Sequence, residues 1–399
     1  MANKLIVTLL ACASLLITTT AQTTQTHVAE VKADANAGIN AEINAGTTAE
    51  KNAGTKADLS AQFQQLASKH QVCSAALVYI KGGQIQEPSF AKGCADALMP
   101  DANSIFQAAS LGKPVFAYAV LGLAAQGKLA LDEPLMQYLP QGYQHALRQG
   151  DINSPQELVT DPRLQKITAR MVLQHMAGLH NWSSGKLEFQ SEPGTRWQYS
   201  GEGYMLLQAV VEAITGMGLQ AWMQQQVFVP LGMLHSSYQP PGEWQDLLIT
   251  GSIQGKALPL RPARKAAAPT SLHTSISDYA RFAQAVLKDT SLQKQILDAP
   301  VMANQRSKIE WGLGWGLSHT STAEHAPLLW HWGNNYGYRA FVILAPAAGD
   351  GMILLASGDQ GLRLAEAMTT HIIPEQLGLF QFPLLGLKPG LLCQVTGIC

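Results

Sequence analysis

The chain has 399 residues, 47% of them hydrophobic and 14% charged, with a formal net charge of -1. That length and apolar content suffice to bury a large core in one compact unit with subdomains. The near-neutral balance, with no basic cluster interleaved with aromatics, excludes a nucleic-acid partner gripped through its phosphates.

At the N-terminus Lys4 precedes an apolar run from Leu5 to Ile17, followed by small and polar residues to Ala21. This pattern predicts a secretory signal peptide over residues 1–21, because the run is too short to span a bilayer. Cys12 leaves a lipoprotein reading open, and with it a peripheral membrane association. Residues 22–58 are rich in Ala, Thr, Asn and Gly, with Asn-Ala-Gly recurring at Asn36, Asn44 and Asn52. So few large apolar side chains cannot offset the ordering entropy, so this stretch reads as a disordered linker.

From Ala57 an amphipathic helical pattern runs through His70, and strands are predicted at Val72–Ile80 and Gln84–Ala91. The turn at Gly82-Gly83 would bring Cys73 opposite Cys94, and Cys393 lies close to Cys399. Two local disulfides in an oxidising compartment are the natural reading, with four reduced thiols as the alternative. Neither Cys-x-x-Cys nor His-Glu-x-x-His occurs, so no metal and no cofactor is expected.

Helical patterns follow at 110–126, 168–177, 202–215, 218–227 and 277–288. Strands return at Trp311–Leu317, Leu328–Trp332, Tyr338–Leu344 and Met352–Ala356, and a last helix is predicted at Leu362–Ile373. Strands at both ends around a helical insert predict an α+β fold: an antiparallel sheet flanked by N- and C-terminal helices, plus an inserted all-α lobe. The expected catalytic domain is 59–399, with a sheet lobe from 59–108 and 305–375 and a helical lobe from 109–304. The seam between the lobes is where a cleft is expected.

Ser110 and Lys113 open the first of those helices, three residues apart and so on one face. A lysine can take a serine's proton only if its pKa falls, and burial lowers it by disfavouring the ammonium. The same spacing recurs at Ser89/Lys92, Ser183/Lys186 and Ser291/Lys294, but in contexts that leave the lysine solvated. Only Ser110 leads into apolar positions at 111, 115, 119 and 123, a helix face packed in a core.

Three further stretches stand beside this pair: Pro193-Gly-Thr-Arg-Trp-Gln-Tyr199-Ser-Gly-Glu-Gly-Tyr204, Trp330-His331-Trp332-Gly333-Asn334, and Met171-Val-Leu-Gln-His-Met-Ala-Gly178-Leu-His180. Together with Gly127-Lys-Leu-Ala-Leu-Asp132 and Val229-Pro-Leu-Gly-Met233, the set resembles the serine beta-lactamase and penicillin-binding-protein superfamily, specifically its class C-like branch with D-aminopeptidases and esterases. The resemblance covers most of residues 59–375. It implies Ser110 as nucleophile, Lys113 and Tyr199 as the proton-handling groups, and an oxyanion hole from the amides of Ser110 and Asn334. It also implies substrate contacts from His331, Trp332 and Gly333.

Two departures bear on substrate. The second motif reads Tyr-Ser-Gly, so Gly201 stands where an asparagine amide is usual, and the third reads His-Trp-Gly where Lys-Thr-Gly is usual. An imidazole is mostly neutral at pH 7, and Trp332 is bulky and apolar, which disfavours carboxylate-bearing lactams. If His331 touched an anionic group, affinity would rise as pH falls through about 6.5. His175, His180 and Glu202 read as structural.

The expectation is therefore an exported, secreted or periplasmic serine hydrolase. It would work through an acyl-enzyme on an ester, an amide, or a beta-lactam or D-amino-acid peptide, either a small molecule or a peptidoglycan-derived peptide. The alternative is a penicillin-binding or peptidoglycan-fragment-binding protein with little turnover. An α/β-hydrolase is excluded because no Gly-x-Ser-x-Gly elbow occurs.

Overall fold

A computed structural model describes residues 57–148, 150–183, 185–259, 265–320, 327–373 and 377–387. The expected signal peptide, Cys12, the linker and the Cys393–Cys399 pair lie outside the described residues. The described residues from Leu59 onward form one compact unit.

Helix α1 (57–69) leads into β1 (Ser74–Lys81), then β2 (Gln84–Ile85) and β3 (Ser89–Ala91). The predicted second strand is thus split, at the segment containing Pro88, which has no N–H for a ladder. Strand β4 (Ile105–Ala109) runs into α2 (Gly112–Ala125). The insert then holds β5 (Gln144–Ala146), β6 (Gln156–Leu158), α3 (Ala169–Leu173), α4 (Gly201–Thr215) and α5 (Leu219–Met223). It continues through β7 (Ser252–Ile253), β8 (Lys256–Ala257), β9 (Leu272–Ser275), α6 (Ile276–Lys288) and α7 (Thr290–Ile296). The return to the sheet is β10 (Val301–Asn304), β11 (Ile309–Trp311), β12 (Gly316–Ser318), β13 (Leu328–Asn335), β14 (Tyr338–Ala345) and β15 (Asp350–Ser357), closed by α8 (Gly361–Thr369).

The main sheet is antiparallel, in the order β10-β11-β12-β13-β14-β15-β1-β2, with β3 also paired to β1. N- and C-terminal strands meet where β15 pairs with β1, with Leu77 opposite Leu354 and Val78 opposite Ile353. Strand alternation sends Ala76, Val78 and Ile80 into the core shared with the inserted helices. Ala75, Leu77 and Tyr79 enter a second core with Phe63 of α1 and Leu364 and Met368 of α8. Both faces are covered, which is why these strands read as unbroken apolar runs.

Cys73 and Cys94 form a disulfide, with Cα atoms 4.6 Å apart. The predicted strand Trp311–Leu317 is interrupted between β11 and β12, because Gly314 takes a left-handed φ of 84° and Gly312 lies against the Ile296 carbonyl. The predicted helix 168–177 ends early, after Leu173, and His175 turns the chain with φ 58°. The insert is not purely helical: it carries the β5–β6 and β7–β8 ribbons, and β9, which pairs with β4.

Candidate active site

Strand β4 lies across the face of β13, β14 and β15 and ends at Ala109, whose φ of 51° is uncommon for a residue with a side chain. That turn delivers Ser110 half-buried at the mouth of α2, and Leu111 and Gly112 start the helix behind it. One turn on, Lys113 is 1% exposed. Its Nζ lies 3.0 Å from Ser110 Oγ and donates to the Pro269 carbonyl at 2.9 Å. Burial holds the amine well below the usual lysine range. Its hydrogen-bond partners are a hydroxyl and a carbonyl, neither of which requires an ammonium. A neutral amine with one hydrogen committed to Pro269 leaves its lone pair for the serine proton.

The Pro269 carbonyl is itself held. Gln208 on α4 accepts from Ala268 N at 2.9 Å and donates to Ala266 O at 3.1 Å, fixing the segment that presents it.

Tyr199 comes from the turn before α4, where Ser200 caps the helix by accepting from Gly203 N. The Tyr199 ring centre is 4.7 Å from Lys113 Nζ. Its hydroxyl is buried without a hydrogen bond of ordinary geometry. Burial raises the phenol's pKa, an effect only partly offset by the neighbouring Ser110 hydroxyl. The resting side chain is therefore a neutral phenol, not a tyrosinate.

On β13, His331 is fully buried and donates from Nδ1 to the Trp332 carbonyl at 2.9 Å. Burial first, and then the neighbouring Lys113, push it down to about 3. This corrects the expectation of a residue titrating near 6.5: at neutral pH it is an uncharged ring whose Nε2 is an acceptor. Trp332 is corrected too. It points into the outer core with Trp330 and Phe382 and packs on Tyr199, ring centres 4.9 Å apart, so it supports the tyrosine from behind.

Gly333 serves close approach: a Cβ there would lie 2.3 Å from the Ala108 carbonyl, two residues before the serine. Asn334 pairs with Arg339 one step from the Asn335↔Tyr338 end of a two-residue hairpin. That is a non-hydrogen-bonded position, so the Asn334 N–H points away from β14 and is free of that ladder.

At Gly201 a Cβ would meet the Asn181 carbonyl at 2.8 Å and the Trp182 indole at 2.8 Å. Trp182 thus fills the space that an asparagine side chain would occupy. Two cavities flank the centre. One, of 760 Å³, runs from Gln107, Thr270 and Asn335 past Trp182, Tyr238 and Tyr338. The other, of 340 Å³, lies on the Tyr199 side against Trp197, Phe382 and Leu384. Lys265 is the one charged side chain among the described residues lining them, because His273 is pushed down to about 4 by burial.

His175, read from sequence as structural, lies inside the site, its ring centre 4.3 Å from that of Tyr199. His180 lends its carbonyl to Ser200 Oγ, and Glu202 pairs with His145 in the interior. Among the described residues no cluster capable of holding a metal ion occurs.

A mixed fold with an antiparallel sheet and a serine, lysine and tyrosine converging at the lobe seam is that of a serine hydrolase of the serine beta-lactamase and penicillin-binding-protein superfamily. A family model described as Beta-lactamase matches residues 59–375, and the chain belongs to that family. It is similar to penicillin-binding protein 4* of Bacillus subtilis, 24% identical with 71% of this chain and 68% of that protein covered. It is also similar to esterase EstB of Burkholderia gladioli, 26% identical over 71% of this chain and 86% of that one. A class C beta-lactamase structure superposes with a TM-score of 0.65 at 16% identity, covering 80% of this chain and 95% of the other, and shares the fold.

Proposed function

We propose that this protein is an exported serine hydrolase that acylates Ser110 and releases the acyl group to water, acting on uncharged esters or amides with a bulky apolar acyl part. The observation that carries the reading is the Lys113 amine, 1% exposed and 3.0 Å from Ser110 Oγ. Lys113 takes the serine proton, Tyr199 relays protons to the leaving group, and the amides of Ser110 and Asn334 receive the oxyanion. One such fixed donor is worth about 3 kcal/mol in comparable sites.

The substrate class follows from what faces the serine. His331 is neutral, Trp182 stands in the space of an amide, and the 760 Å³ cavity is walled by Trp182, Tyr238, Leu248 and Ile249. Among the described residues a carboxylate on the substrate would meet a single cation there, Lys265, and no cation at His331, whereas an aromatic or branched acyl group would gain about 25 cal/mol for each Å² it buries. The names of the relatives, a penicillin-binding protein and an esterase, are compatible with acyl transfer to serine. Export is supported by the N-terminal sequence pattern and by the Cys73–Cys94 disulfide.

The test is mass spectrometry of the protein quenched during turnover of a neutral aromatic nitrophenyl ester. An acyl mass on Ser110 that appears and decays is expected, and Ser110→Ala should show neither adduct nor hydrolysis. Full activity of Ser110→Ala would end the proposal. An adduct that persists for hours would instead favour the penicillin-binding reading with little turnover.

A further inference from the structure

The residue that sets Tyr199 in place is not one of the three catalytic groups, and we infer that it is His175, a positioning residue that grips the chain on both sides of the tyrosine. The inference rests on the proposed role of Tyr199. The His175 carbonyl accepts from Gln198 N at 2.8 Å, and its Nδ1 accepts from Ser200 N at 3.1 Å. The two bonds straddle Tyr199, so one residue holds the backbone immediately before and after the phenol.

Three further features make this grip specific. Because Nδ1 accepts, the neutral ring carries its proton on Nε2, and burial with the neighbouring Lys113 and His331 keeps His175 well below the usual histidine range. Protonation would turn the acceptor into a donor facing Ser200 N–H and break the clamp. The ring also packs against Tyr199, Tyr204 and Trp311, with centres 4.3, 5.4 and 5.2 Å away. Last, His175 reaches both contacts only because its backbone takes the left-handed φ of 58° directly after α3. In that conformation its carbonyl and its ring both turn toward the 198–200 segment.

The position therefore needs two properties: tolerance of a left-handed φ and an acceptor two bonds beyond Cβ. Asparagine has both, because Oδ1 occupies the place of Nδ1 and asparagine is enriched at positive φ. Glycine has the first and lacks the second. With neutral ester substrate, His175→Gly is expected to lower kcat about 100-fold, the scale of an ångström-sized misplacement of a catalytic group, with KM changed less than about threefold. His175→Asn should recover activity to within about tenfold of the parent.

Equal activity of the parent and His175→Gly, or equal loss in Asn and Gly variants that melt alike, overturns the inference. Nitrogen NMR of the unaltered protein gives a check independent of variant folding: at pH 7 His175 should show the Nε2–H tautomer, and an Nδ1–H ring or an imidazolium refutes the clamp. A Ser110→Ala protein that stays active would fail the hydrolase proposal instead, so the two failures are distinct.

Discussion

Replacing Lys113 with methionine separates the electrostatic reading of the site from a merely structural one. The amine is buried and its folded-state pKa is depressed by desolvation, so the unfolded chain, with lysine near about 10.4, binds a proton that the folded chain releases. By linkage the folded state is fully free of this penalty above that unfolded value and loses about 1.4 kcal/mol per pH unit as pH falls toward the folded pKa. Methionine abolishes that slope while keeping the stem. It also orphans the Pro269 carbonyl, a cost of about 1–3 kcal/mol that does not vary with pH. The absolute stability of Lys113→Met can therefore fall on either side of the parent, and the diagnostic quantity is the difference against pH. Urea unfolding at pH 7.5 and 9.5 should show the variant gaining up to about 2.7 kcal/mol on the parent at the lower pH. Hydrolysis should drop by at least about 100-fold, as for loss of a general base. A pH-independent stability difference would mean that Lys113 folds as an ammonium, and the base assignment would fail with it.

Gly333→Ala should cost about 1–3 kcal/mol, because its methyl would meet the Ala108 carbonyl at 2.3 Å and push β13 off the strand that carries the serine; thermal melting and kcat should fall together, and an unaltered kcat would show that the approach is not needed. His331, held at about 3, makes the fold less stable as pH falls from about 6.5 toward 3, by up to about 1.4 kcal/mol per unit, since the unfolded chain takes the extra proton. His331→Leu should flatten that part of the acid-unfolding curve relative to the parent, while KM for a neutral ester should show no inflection near 6.5. Reducing Cys73–Cys94, which closes a separation of 21 residues, should cost about 3 kcal/mol by denaturant titration with and without reductant, and no change would place the constraint elsewhere.

Helical spacing and an apolar segment single out Ser110 and Lys113, because the reach of the amine is a local property of one helix and the apolar run signals its burial, whereas the groups that enclose it, Pro269, Tyr199 and Tyr204, come from distant segments. Strands β4 and β9 were not legible. Each is five residues or fewer, and each is stabilised by a partner more than 150 positions away, as in Gln107 with His273. The strained φ at Ala109 carries no glycine to announce it. The place of His175 in the site is not legible from its neighbours, since a histidine at the end of a short helix gives no hint that its φ is left-handed; its position in the Met171–Gly178 motif is the available signal. Strand alternation puts Trp332 on the side of Trp330, and it joins the outer core, although its ring still stacks on His331 with centres 5.3 Å apart.

In the proposed mechanism the burial that keeps the Lys113 amine neutral raises the question of how it holds a proton during turnover. Its influence depresses both His175 and His331, and His331 depresses His175. The three bases therefore exclude one another's protons, and the cluster carries at most one near neutral pH. In that mechanism, when Ser110 attacks, that one proton arrives on Lys113, and the new ammonium would find the Pro269 carbonyl at 2.9 Å and the rings of Tyr199 and Tyr204 at 4.7 and 5.6 Å. Those ring faces attract a cation and gain little from an amine. They consequently stabilise the charged state that exists only while the oxyanion is present, which is the condition for an interaction to accelerate the chemistry and not merely tighten binding.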